Sequence, residues 1–439
     1  MSMKTIFAFI VLSLLFIRVP GYATEFSLSK LKFAVITDPH VYNPELGMEG
    51  DFFQEEMVNQ VKLFRYSKEL LEAVINKVEQ ADVDFLIIPG DLTKDGERSS
   101  HLLVAAYLDR LLQKGIPTFV VPGNHDINNP DAVSFTGSEP QPTANINPSE
   151  FSQIYADFGY SQALDRDEHS LSYVTEPIPG FWLLALDSCR YAENLNKPII
   201  GGAINPDTLA WTMEVMEEAK NQGKKVIGFM HHAVLENFDG HADLLPEFII
   251  KDHVQVSRSL GQAGLRLVFT GHTHVQDITC KRWDNQTSLL DIQTGSLVTY
   301  PHPFRIVKII GGLVQMRSHF VQDLPGDFWG TDFETYSKNF NESSVRQRAQ
   351  DMGLWGPLGN LFAEATLAHV LGDEKPDPET LRLISSLQDS PWELFQISGS
   401  YLSAVWTDLP PADNDMLVYL PWDLKQTFEL ILHFLDLYW

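Results

Sequence analysis

The chain has 439 residues, long enough for two domains, and its 44% hydrophobic and 21% charged residues suit a large buried core. Its net charge of −26 argues against long nucleic acids as partners, because phosphate backbones are gripped chiefly by Lys and Arg. Small phosphorylated ligands remain allowed, since bound cations would reverse the local field.

In chain order, Lys4 precedes an apolar run at 6–17, followed by Pro20 and the small-residue site Gly21-Tyr22-Ala23. This is the pattern of a secretory leader. The run is shorter than the roughly 20 residues that span a bilayer. Residues 1–23 are therefore expected to be removed and the protein exported, periplasmic or extracellular, with no transmembrane span in the mature chain.

From about 32 to 321 the sequence reads as α/β. Strands are predicted at 32–37, 85–89, 118–121, 181–186, 225–230 and 265–270, then at 288–294, 304–310 and 313–320. The earlier ones are nearly continuous apolar runs, as strands covered on both faces should be. Helical periods fall at 52–80, 97–114, 206–221 and 249–262. After about Pro325 strand signals vanish and helices are predicted at 343–351, 358–371, 378–388 and 420–437. Six of the nine tryptophans lie in this tail, which would pack on the preceding region, form a lid or offer a homo-oligomer surface. Cys189 and Cys280 are the two cysteines, and a bridge and two separate thiols are both open.

Five predicted strands end in residues able to bind metal. They lead into Asp38-Pro39-His40, Gly90-Asp91, Gly123-Asn124-His125-Asp126, His231-His232 and Gly271-His272-Thr273-His274. In α/β sheets the crevice beyond the carboxyl ends of the strands is where ligands bind. Each motif alone is a common turn or a structural histidine. Together they supply mixed oxygen and nitrogen ligation for borderline divalent or trivalent metals, with no thiolate in the set. His231 and His232 point to opposite sides of the strand exit, so only one of them faces the site.

The five motifs in this order, with Gly90-Asp91-Leu92-Thr93-Lys94-Asp95-Gly96-Glu97 as the second, resemble the calcineurin-like metallophosphoesterase superfamily. The spelling is most similar to its cyclic-nucleotide and glycerophosphodiester phosphodiesterase branch, although Ala233 stands where that branch often has proline. The resemblance implies a β-sandwich flanked by helices, in four αββα layers, as a catalytic domain at 24–325; the tail lies outside the resemblance and is read from its periodicity as a smaller helical region at 326–439. It implies one metal on Asp38, His40, Asp91 and His274 and a second on Asp91, Asn124, His231 and His272, with Fe, Mn and Zn all acceptable. Asp91 would bridge the two ions. Family spelling favours His231 over His232.

Two such cations would acidify a bridging water, and its hydroxide would attack phosphorus directly. His125 would stabilise or protonate the leaving oxygen. Asp126 would orient His125, its alternative being a turn cap. The substrate is then a small phosphodiester, with a phosphomonoester as the alternative and a catalytically silent binding module as a reading of another class. His241 and Asp243 read as a solvated loop, His302 as a turn residue, and the insertion at 127–148 as a lining of the substrate mouth.

Overall fold

The computed structural model describes residues 30–285 and 287–420. The leader at 1–23 and the helix predicted at 420–437, beyond Leu420, lie outside the described residues. Among those residues the strands are β1 (Lys30–Val35), β2 (Phe85–Pro89), β3 (Thr118–Val121), β4 (Val133–Ser134), β5 (Gln141–Pro142), β6 (Asp165–Arg166), β7 (Tyr173–Ile178) and β8 (Phe181–Leu186). They continue with β9 (Lys225–Met230), β10 (Leu267–Thr270), β11 (Asp277–Arg282), β12 (Ser288–Gln293), β13 (Pro303–Ile310), β14 (Leu313–Phe320) and β15 (Asp415–Tyr419). The α-helices begin with α1 (Asp51–Gln60), α2 (Ser67–Gln80), α3 (Arg98–Gln113), α4 (Pro148–Ile154), α5 (Pro206–Asn221), α6 (His241–Leu244) and α7 (His253–Ala263). After β14 come α8 (Phe333–Asp351), α9 (Gly356–Leu371), α10 (Pro378–Gln388) and α11 (Glu393–Val405). No described helix is long and apolar enough to cross a membrane.

The first sheet has the order β15-β14-β13-β1-β2-β3 and the second β11-β12-β10-β9-β8-β7-β6. Their centres are parallel: β1-β2-β3 in one, β8-β9-β10-β12 in the other. The two-residue side-chain period explains the layering. Along β8, Phe181, Leu183 and Ala185 enter the core between the sheets, while Trp182, Leu184 and Leu186 pack against α5 and α7. The sheets meet where Phe33 of β1 packs edge-on to Phe269 of β10, ring centroids 5.3 Å apart. Helices α2 and α3 cover the outer face of the first sheet with Leu70, Val74, Leu108 and Leu111. The result is the expected mixed α/β sandwich with helices outside, followed by a helical C-terminal region.

Three local differences from the sequence reading have physical causes. The helix read at 52–80 is two helices, because Val61 adopts φ 55° and ends α1 in a left-handed turn. Strands also occur where the pattern is weak. β11 (DITCKR) is a sheet edge whose second half is exposed, and β15 pairs with β14 although only Met416 in it is buried. The tail thus returns a strand to the first sheet. Cys189 and Cys280 are separate free thiols.

Candidate metal centre

Parallel strands deliver their carboxyl ends to one edge, and the chain exits there in short turns. Asp38 and His40 follow β1, Asp91 follows β2, Asn124 follows β3, His231 follows β9, and His272 and His274 follow β10. Five of these seven hold a left-handed backbone: Asp38 (φ 49°), His40 (38°), Asp91 (48°), His272 (68°) and His274 (60°). Such conformations cost of order 1–3 kcal/mol each in non-glycine residues and persist only where the surroundings enforce them. Five of the twelve such residues among those described thus fall in this one constellation. Two glycines allow the close approach: a Cβ at Gly123 would lie 2.1 Å from Asp91 Oδ1, and one at Gly271 2.3 Å from Asp38 Oδ2.

The donors form two adjoining groups. In the first, His40 Nε2 faces His274 Nε2 at 3.2 Å, Asp91 Oδ2 at 3.5 Å and Asp38 Oδ1 at 3.9 Å, and His274 Nε2 lies 3.3 Å from Asp38 Oδ1. In the second, His231 Nε2 lies 2.9 Å from Asn124 Oδ1, 3.1 Å from His272 Nδ1 and 3.4 Å from Asp91 Oδ2. Asp91 therefore touches both groups. His232 sits beside the second, but its ring nitrogens are engaged by Ser188 Oγ and the Ile200 carbonyl, each at 2.8 Å.

This donor set fits cations. Burial, joined by Lys62, holds His40 and His274 in the neutral form, and burial with His232 does the same for His272, leaving imidazole lone pairs available. Burial alone would raise the Asp91 carboxyl, yet His231, His125 and His40 together take it well below the usual carboxylate range. Burial would also lower His231, but the Asp91 charge wins and lifts it to about 9. The second pocket thus attracts positive charge. Four imidazoles, two carboxylates and one amide with no thiolate suit borderline divalent or trivalent metals.

Around this cage the structure separates His125 from Asp126. His125 Nδ1 lies 2.7 Å from Asp95 Oδ1, and its Nε2 lies 4.0 Å from Asp91 Oδ2. Asp126, expected to orient His125, instead accepts the backbone amides of Leu92, Thr93 and Gly123 at 2.8–3.1 Å and the Thr93 hydroxyl at 2.9 Å. It caps the two turns that carry Asp91 and Asn124, because four short donors converge on it and none belongs to a histidine ring. The orienting carboxylate is Asp95, which is in turn paired with the buried Lys94. Glu97 lies beneath, bonded through one oxygen to the Asp95 amide. Burial and then Asp95 raise its carboxyl to about 8.

Asp95 carries no assigned role in the sequence reading although it stands inside the second motif; its spacing four residues after Asp91 was the available signal. Lys62 gave no signal, since it sat inside a helix read as continuous. The turn at Val61 brings it to the site, where it is 6% exposed with its ammonium 5.8 Å from the Phe64 ring centroid. No ion pair to it occurs among the described residues. Burial lowers its pKa, against the pull of Asp91, Asp95 and Asp38.

A cleft of about 1260 Å³ opens from the cage and runs to the C-terminal helices. Asp91, Asn124, His125, His272 and His274 line one end, and the insertion after Asp126 lines the mouth through Pro130, Val133 and Phe135. His241, read as part of a solvated loop, is buried and lines the cleft. His302 bonds the Leu297 carbonyl at 3.0 Å away from the cage.

The profile of the calcineurin-like phosphoesterase family matches residues 31–276, more than half of the chain. The chain belongs to this family. As a calcineurin-like phosphoesterase it is 26% identical over 173 residues to Sphingomyelin phosphodiesterase 2 of Caenorhabditis elegans, a match covering 36% of this chain and 27% of that protein. The chain thus spans about a quarter of the length of that relative. Among solved structures, a dimetal phosphatase from Danio rerio superposes with a TM-score of 0.50 at 16% identity, covering 66% of this chain and 96% of that one. A purple acid phosphatase from yellow lupin (Lupinus luteus) seeds gives 0.43 at 11% identity, over 69% and 53%. The first of these structures shows the shared fold. Family membership supports phosphoester hydrolysis.

Proposed function

We propose that the chain is a metal-dependent phosphodiesterase that holds two cations, one on Asp38, His40, Asp91 and His274 and one on Asp91, Asn124, His231 and His272. The observation that carries this reading is the convergence of those seven donors, five of them in strained backbone, in one cage whose Asp91, Asn124, His272 and His274 line one end of a cleft. When bound, such a pair supplies Lewis acidity to the phosphoryl oxygens and acidifies water. Fe, Mn and Zn all accept the set.

The chain's own groups then have separable tasks. His125, with Nδ1 held by Asp95, presents Nε2 to the leaving oxygen and gives it a proton. Asp95 acts as a positioning residue, fixing the ring and its tautomer. Water adds its oxygen to phosphorus, the P–O bond to the leaving alcohol breaks with its electron pair, and the alcohol gains a proton as the water loses one. Lys62 offers one positive charge to the phosphoryl group.

A diester is favoured over a monoester because Lys62 and Arg348 are the lysine and arginine residues lining the cleft, which suits a monoanion. The relative named a sphingomyelin phosphodiesterase supports the same choice. Initial rates on bis(p-nitrophenyl) phosphate and p-nitrophenyl phosphate test it: preference for the diester is expected, and preference for the monoester would sink the reading. The leader pattern at 1–23 supports action outside the cytoplasm, and N-terminal sequencing of exported protein should find a mature start after Ala23.

A further inference from the structure

The phosphoester site occupies only one end of its cleft. The opposite wall comes from α8, α9 and α11 and the turn between α8 and α9. Their lining side chains are mostly apolar, Leu358, Phe362, Tyr401, Leu402 and Val405 among them, and include no carboxylate. The acidic groups that line the cleft, Glu55, Glu56, Asp91, Asp95 and Asp131, all lie in α1, the cage turns or the insertion after Asp126.

Two groups of ring contacts flank the path from cage to wall. Phe248 lies 5.3 Å from the His272 ring, Phe238 lies 6.2 Å from Tyr401, and Tyr401 stacks on Phe362 at 5.6 Å. All five residues line the same cleft. Apolar side chains also reach solvent at its edge: Met352 is 62% exposed, Ile397 54%, Phe52 48% and Leu244 44%. Exposed apolar side chains rimming a cleft are a feature of ligand grooves. Polar side chains are the minority on this wall, Asn341, Arg348, Thr366, His369 and Ser398, so the hydroxyls and ring nitrogens of a nucleoside or glycerol arm would find few partners there, at a desolvation cost. A hydrocarbon chain has no such groups.

Resting on the phosphodiesterase reading above, we infer that one ester arm of the substrate carries a long alkyl or acyl chain, which lies along the wall formed by α8, α9 and α11. The substrate class is an amphiphilic phosphodiester, with its phosphate at the cage and its tail against Phe362 and Tyr401. The C-terminal helices are then a specificity element.

The test uses the full chain and methyl, butyl and octyl p-nitrophenyl phosphodiesters, each below its micellar concentration. The octyl ester should exceed the methyl ester in kcat/KM by roughly a hundredfold, mostly through a lower KM, because each buried methylene adds to binding in both ground and transition states. Thr366→Trp, which plugs the arm, and Ile397→Asn, an exposed position that tolerates change, should each shrink the octyl-to-methyl ratio, the plug by about tenfold or more. Hydrolysis of all three esters with equal kcat/KM overturns the inference and leaves the phosphodiesterase reading standing. If no diester turns over, that reading fails, and calorimetric binding of dodecylphosphonate against methylphosphonate still tests the wall. Equal affinities would overturn it; tighter binding of the dodecyl compound, weakened by Thr366→Trp, would support it.

Discussion

The two ends of the cleft are built on opposite principles. At the cage end, side chains come from strand exits whose backbones are strained, and nearly every polar atom is committed to a partner at 2.7–3.5 Å. At the helical end, the wall is made mostly of apolar side chains on regular helices, several of them packed with Phe238 into a small separate core. Rigid, over-determined geometry suits chemistry, in which sub-ångström placement matters. A smooth apolar wall suits a ligand part recognised by area alone. Substitutions at the cage should therefore change kcat, and substitutions at the wall should change KM.

The sharpest break in that contrast is Asp91→Asn. Asparagine tolerates the left-handed backbone at this position, so the fold should survive while the shared carboxylate is lost. Diester hydrolysis should fall on the order of 10³-fold or more. Near-normal activity would mean that Asp91 does not join the two groups.

Next in size is His125→Ala, expected to lower kcat by about 10²–10⁴ for substrates whose leaving group is an alcohol. The loss should be smaller for nitrophenolate, which departs without a proton. Asp95→Asn should show the same dependence on leaving group with a loss of about tenfold to a hundredfold. A purely structural Asp95 would slow both leaving groups alike.

Lys62→Met comes third. Removing this cation beside the cage should raise KM for a diester by about tenfold, in keeping with a charge-assisted hydrogen bond of roughly 1.5–3 kcal/mol, with little change in kcat. A kcat effect larger than the KM effect would move Lys62 into the chemistry.

The smallest expected effect is on stability. Glu97 is raised from 4.5 to about 8 by burial and then by Asp95. The folded state then holds a proton that the unfolded chain has lost, so this group's contribution falls as pH rises from about 4.5 to about 8. Glu97→Gln should flatten that decline, read as urea midpoints at pH 5 and pH 8.5. An unchanged slope would show that Glu97 titrates normally.

Much of this architecture can be read from residues alone, for reasons visible in particular elements. β2 and β3 are fully buried apolar runs, and a carboxylate or amide placed directly after such a run contributes nothing to the packing that the run itself demands. The convergence of the seven proposed ligands could be read because each sits at a strand exit. Lys62 could not be read, because nothing in the periodicity of 52–80 announces a left-handed β-branched residue at Val61. Asp95 rather than Asp126 holds His125 for a similar reason. Both are near His125 in sequence or motif, but only the packing of the Leu92–Thr93 turn decides which carboxylate its amides capture. The weak edge strands β11 and β15 are set by pairing across the sheet rather than by local pattern.

The most direct measurement of the central claim is metal content by mass spectrometry on the purified full chain, paired with its rate on bis(p-nitrophenyl) phosphate. Two transition-metal ions per wild-type chain are expected, with diester hydrolysis, and both should decline in Asp91→Asn. A metal-free wild type whose activity survives both chelation and Asp91→Asn would contradict the two-cation cage.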